Sequence, residues 1–187
     1  GDLSGAMEAY RARLGFAERL AGSDRGNAVW QRVLWVSHER VGDVLLAQGD
    51  LSGALESYRA AMEIAERLAA SDPDNPDWQR GPTVSHNRIG DVLLAQGDLS
   101  GALESYRAAM EIRERLAAWD PGNAGWQRDL WVSFWKMADA SEKLGQADAA
   151  GWWRRAYDVL QSMKDRGMHI SPDDEKWLER LRDKAGA

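Results

Sequence analysis

The stretch from Gly49 to Ile64 recurs letter for letter from Gly97 to Ile112, a displacement of 48 residues. A looser copy runs from Gly1 to Tyr10. The tripeptide Trp-Gln-Arg returns at Trp30, Trp78 and Trp126, and Val-Ser at Val36, Val84 and Val132. A chain that repeats one unit has to pack each copy against the next, so its contacts are local and it builds a solenoid. Such a scaffold offers partners a long surface more readily than it encloses a catalytic pocket.

The repeat predicts a single array over residues 1–187 in place of two unrelated domains. The chain starts within a repeat and without Met, so a piece of a longer protein is expected. Ten tryptophans are available as anchors between helices, each able to remove roughly 150–250 Å² from water. Cysteine is absent, which excludes disulfides and thiolate chemistry and fits a reducing, cytoplasmic setting. A net charge of −6 argues against a nucleic-acid partner, which needs a basic stripe. No apolar run approaches the roughly 20 residues that span a bilayer, and no secretory leader is recognisable, so no membrane role is expected.

Within the unit, Leu51, Ala54, Leu55, Tyr58, Ala61, Met62, Ala65 and Leu68 fall at spacings of three and four. This pattern predicts a helix with one buried face over Leu51 to Ala70, here termed helix B. Asp50 is its expected N-cap, and Gly49 the left-handed stop of the helix before it; the same signals recur at Asp2 and Asp98. Val84, Ile89, Val92, Leu93 and Ala95 mark the other helix, A. The connector Ser71 to Pro76 is a turn-forming cluster, and it shortens in the next unit to Asp120 to Asn123. Gly81-Pro82 replaces Val33-Leu34 and Asp129-Leu130 of the neighbouring repeats. An interior proline costs about 3 kcal/mol, so helix A of this repeat should begin near Pro82 or bend there. The last copy, from Gly145, has drifted. Gly167 ends its helix, and Ser171-Pro172-Asp173-Asp174 reads as N-cap, proline at N1 and an acidic first turn. The expected organisation is therefore a leading B helix at 2–21, repeats at 24–70, 72–118 and 120–166, and a capping helix at 172–185.

These residues resemble the tetratricopeptide repeat, in which a helix bearing Trp-x-x-Leu-Gly-x-x-Tyr precedes one bearing Ala-x-x-x-Phe. The resemblance rests on His86-Asn87-Arg88-Ile89-Gly90-Asp91-Val92-Leu93 in the first segment. Gly97, Ala102, Tyr106 and Ala109 stand in the second, and Pro121 closes the unit. Small residues at Gly42, Gly90 and Ala138, and at Ala6, Ala54 and Ala102, would let helices A and B approach closely. The period of 48 exceeds the family's 34, so both helices are longer, as in the kinesin light chain class and in bacterial arrays. The resemblance implies an all-α, right-handed superhelix of antiparallel helix pairs, closed by the capping helix.

No catalytic, metal or cofactor site is expected. His38 and His86 share a position that Phe134 fills in the third repeat, which marks it as a packing position; His169 has no metal-spaced companion. The resemblance implies instead that helix A lines a concave face for a protein or peptide partner. Its lining would include Glu39, Arg40 and Asp43, then Asn87, Arg88 and Asp91, then Trp135, Lys136 and Asp139. The aspartates form either an acceptor row facing a peptide or intrahelical ion pairs with the preceding basic residues. Trp135 is the best single anchor, unless it packs within the molecule. Of Trp152 and Trp153, one should turn inward while the other meets Trp177 or stays exposed. A self-associating, end-to-end scaffold is the alternative reading.

Overall fold

A computed structural model describes residues 3–186, and among them every regular element is an α-helix. These are α1 (Leu3–Ser23), α2 (Ala28–Ala47), α3 (Leu51–Ser71), α4 (Pro76–Gln96), α5 (Leu99–Trp119), α6 (Ala124–Lys143), α7 (Ala149–Asp165) and α8 (Pro172–Ala185). The expected start of the leading helix at Asp2 lies outside the described residues. The chain divides into two compact units, Gly1–Asp98 and Leu99–Ala187.

Local chemistry sets the helix ends at the repeat period. Asn27, Asn75 and Asn123 each N-cap an A-type helix by accepting from backbone N–H groups of its first turn. Asp50 accepts from the Gly53 N–H at 2.9 Å to cap α3. Gly49 and Gly97 stop the helices before them at φ of 81° and 82°, a conformation that costs glycine little. At α8 the expected cap is complete, because Ser171 and Asp174 form a reciprocal capping box with Pro172 in the first turn.

Two expectations are corrected. Helix α4 does not begin near Pro82; it begins at Pro76, in register with Ala28 and Ala124, and Pro82 lies inside it. The Asn75 cap and Pro76 start the helix in the right place, and Gly81, Pro82 and Thr83 are all buried. Burial of that turn offsets the donor that Pro82 lacks, and the Thr83 hydroxyl donates to the Arg80 carbonyl at 2.8 Å. Nor does the connector shorten in the third repeat. Ser71 and Pro76 are taken into helices, leaving Asp72 to Asn75 to match Asp120 to Asn123.

The Trp-Gln-Arg segment has a structural task that repeats with it. Gln31, Gln79 and Gln127 donate from Nε2 to the carbonyls of Ala21, Ala69 and Ala117 at 3.4, 2.8 and 3.0 Å. Each of these carbonyls lies in the last turn of the preceding B-type helix, where it has no helical partner. The glutamine thus ties the start of one helix to the end of the one before.

In the first unit, Tyr58 and Ala54 of α3 pack with Ile89 and Val92 of α4, while Leu45 and Leu46 of α2 close the cluster. A second cluster joins Met7 of α1 to Val41 and Val44 of α2. In the second unit, Trp131, Phe134 and Met137 of α6, Trp153, Leu160 and Met163 of α7, and Leu178 and Leu181 of α8 are buried. Trp153 is the inward member of its pair. Trp152 stacks on Phe134, with centroids 6.1 Å apart.

Candidate functional site

In the first unit, the A-type helices α2 and α4 carry six of the expected lining residues. Asp43 stands at their centre. Its carboxylate accepts from the Tyr58 hydroxyl at 2.9 Å and from Arg40 Nη1 at 3.1 Å, and Arg88 Nη2 lies 3.3 Å away. One side chain of α2 therefore ties together α3 and α4. Burial, and then the Asp43 carboxylate, push the Tyr58 phenol well above its ordinary pKa, so it stays a donor.

Glu39 lies one turn earlier on α2. The Ser85 hydroxyl donates to its Oε1 at 2.7 Å, and the Trp35 indole N–H points at Ser85 Oγ from 3.4 Å. Burial raises the Glu39 pKa, and the hydrogen bonds from Ser85 and Trp35 offset this only in part. Asn87, Arg88 and Asp91 are half-buried on α4. The face thus combines tied-down carboxylates with two arginines whose side chains keep 52% and 39% of their exposure, Arg40 and Arg88.

In the second unit the equivalent positions are engaged differently. Trp135 lies against Trp177 of α8, centroids 5.2 Å apart. Lys136 Nζ sits 4.8 Å from the centroid of the Tyr106 ring, a cation–π contact. Asp139 accepts from Lys143 one turn on, at 2.7 Å. Trp135 is therefore part of the seat of the terminal helix.

Sequence reasoning missed three features. One is the Trp35–Ser85–Glu39 chain of hydrogen bonds between α2 and α4. The second is Arg128, which grips Asp174 of α8 through Nε at 2.8 Å and Nη2 at 3.2 Å. The third is a groove lined by Val29, Arg32, Trp35, Trp78 and Gly81. The recurrence of arginine in every Trp-Gln-Arg segment was the available signal for the last two. His38 and His86 sit as packing residues: burial lowers the pKa of each, and each faces one glutamate, Glu18 and Glu66 respectively. Among the described residues, no helix is long and apolar enough to cross a membrane.

The family model for the tetratricopeptide repeat matches residues 40–77 and 85–117. Among solved structures, 99% of the chain aligns with 70% of BtubC (BKLC) from P. vanneervenii, with a TM-score of 0.68 and 19% identity. The apo form of RapI aligns over 96% of this chain and 64% of its own, less than two thirds of its length, with a TM-score of 0.60 and 14% identity. At these identities the likeness is one of fold. No curated protein matches the chain in sequence.

Proposed function

We propose that this chain, a helical-repeat protein of the tetratricopeptide type, binds a peptide or helical segment of a partner protein on the face lined by α2 and α4. That face corresponds to the concave side of the family's arrays. The observation that carries this reading is the pre-organised surface around Asp43. Arg40, Asp43 and Arg88 are held by mutual ion pairs, Glu39 by Ser85, and Asp43 is tied to Tyr58 of the closely packed core. Side chains already fixed lose little entropy when a ligand arrives, which is how a shallow groove gains affinity. Asn87 and Asp91 extend the face along α4, and Trp135, Lys136 and Asp139 hold the same repeat positions on α6. Arginines in half-open ion pairs suit a ligand that brings both amide groups and charge.

Peptide-display selection against the purified chain, followed by titration of the selected peptides, tests this. Asn87→Ala and Arg88→Ala should each weaken binding by about fivefold or more, the scale of an interface anchor. Equal affinity for both variants and the unaltered chain would retire the α2–α4 face. A second reading, a self-associating scaffold, would draw on Phe16 of α1, a large apolar residue that is 56% exposed. If it holds, Phe16→Ser abolishes a concentration-dependent rise in mass seen by light scattering. A mass that stays monomeric at all concentrations excludes it.

A further inference from the structure

Helices α1 and α3 share the frame of the repeat but not its burial. On α3 the stripe Ala54, Tyr58, Ala61, Ile64 and Leu68 is buried throughout. The residues 48 positions earlier are Ala6, Tyr10, Arg13, Phe16 and Leu20 on α1, and none of them is buried. Phe16 is 56% exposed where Ile64 is 4% exposed. Helix α3 packs against both α2 and α4, whereas α1 packs against α2 through a cluster of Met7 with Val41 and Val44.

What covers the stripe on α3 is visible in the same unit, because α2 lies on it. Gly42 lets the Tyr58 ring rest on the α2 backbone, where a Cβ would fall 2.6 Å from the ring. Asp43 accepts from the Tyr58 hydroxyl at 2.9 Å, and Leu45 and Leu46 pack against the cluster that holds Ala54 and Tyr58. The short turn between Ala47 and Leu51 makes the two helices antiparallel. On α1 the matching groups are unmet. Among the described residues, the Tyr10 hydroxyl and the Arg13 guanidinium have no hydrogen bond or ion pair. Arg13 stands where α3 has Ala61. A helix lying on α1 as α2 lies on α3 would therefore have to bring a carboxylate about one turn before its glycine. Glu39 holds that place on α2, three residues ahead of Gly42.

We propose that the exposed stripe of α1 is a docking surface for an amphipathic helix of a partner protein, one that carries the α2 pattern Glu-x-x-Gly-Asp. Its glycine seats the Tyr10 ring, its aspartate accepts from the Tyr10 hydroxyl, its glutamate pairs with Arg13, and its apolar residues cover Phe16 and Leu20. The packing of α2 on α3 is the precedent for this fit. The α2 helix of a second copy is not free to serve, since its own Gly42 and Asp43 are already taken by Tyr58. The surface lies on α1 and not on the α2–α4 face, so either can fail without the other.

A fluorescein-labelled peptide of residues 27–48 carries the pattern as Glu39, Gly42 and Asp43. Added to the intact chain, it should give saturable anisotropy that Phe16→Ser weakens by about tenfold, the scale of a large apolar side chain left in water. Tyr10→Phe on the chain and Asp43→Ala in the peptide should each weaken binding by about fivefold. Combined, they should cost little more than either alone, because both break one bond. Arg13→Gln should likewise do little to a peptide that already carries Glu39→Gln. These positions on α1 are not buried, so the circular dichroism of each variant should match that of the unaltered chain. No binding, or binding that Phe16→Ser and Tyr10→Phe leave unchanged, would overturn the proposal. So would a loss confined to Tyr58→Phe, which would mean that the peptide replaces α2 on α3. A peptide-free dimer in sedimentation that Phe16→Ser dissociates would also overturn it, by making the occupant a second copy.

Discussion

Gly42 meets an aromatic ring where close approach of backbones was expected. A Cβ at this position would lie 2.6 Å from Tyr58 Cε1, and the ring cannot swing away because its hydroxyl is tied to Asp43 at 2.9 Å. Gly42→Ala should therefore lower stability by about 1–2 kcal/mol in urea unfolding, overpacking outweighing the helix propensity that alanine adds. An unchanged midpoint would mean that the ring relaxes freely. The titrating side chains act in opposite directions. Burial lowers the His86 pKa, so the neutral form is the folded one and stability drops as pH falls below the ordinary 6.5. His86→Phe, which copies Phe134 of the next repeat, should flatten the melting temperature between neutral and mildly acid pH. Glu39 behaves inversely. Its pKa is raised by burial, so its contribution is present in acid and lost as pH rises through the folded value. Glu39→Gln, which keeps an acceptor for Ser85, should raise the melting temperature at neutral pH and make little difference in acid; a lower value at neutral pH would contradict this.

At the scale of the helix, the recurring spacing of cap and glutamine does more than mark boundaries. Each glutamine satisfies a carbonyl that would otherwise be orphaned beside a neighbouring helix, a bond worth about 0.5–1.5 kcal/mol. Replacing Gln79 or Gln127 by leucine should cost about 1 kcal/mol in equilibrium unfolding. Gln31→Leu should cost less, because its bond is longer, 3.4 Å against 2.8 and 3.0 Å. Equal losses at all three would show that side-chain packing, not the bond, carries the effect. Pro82 teaches the complementary lesson. A local rule that forbids interior proline loses to three consecutive buried residues and an intact N-cap about two turns earlier.

For the whole molecule, a repeat protein's stability is close to a sum of nearest-neighbour terms, so damage should stay near its source. Helix α8 covers part of the second unit through Trp177, Leu178 and Leu181, and clamps it through Arg128–Asp174 and Lys184–Glu142. Deleting residues 171–187 should speed hydrogen exchange of α6 and α7 while leaving α2 and α3 as they were. Uniform acceleration along the chain would mean that the two units unfold together. The same deletion frees Trp135, which the terminal helix otherwise occupies.

The repeat period, the helical class, the Asn and Asp starts and the glycine stops could all be read from the residues alone. Those choices depend on a few neighbouring side chains and on backbone conformation, so they are written locally. That Glu39, Arg40, Asp43, Asn87, Arg88 and Asp91 fall on A-type helices was legible too, but the partners of those side chains were not. That Asp43 serves Tyr58, that Trp135 covers Trp177 and that Arg128 seats Asp174 are matters of distance between side chains on different helices. A carboxylate or an indole takes whichever donor or ring packing brings within reach, and only the tertiary structure decides which that is.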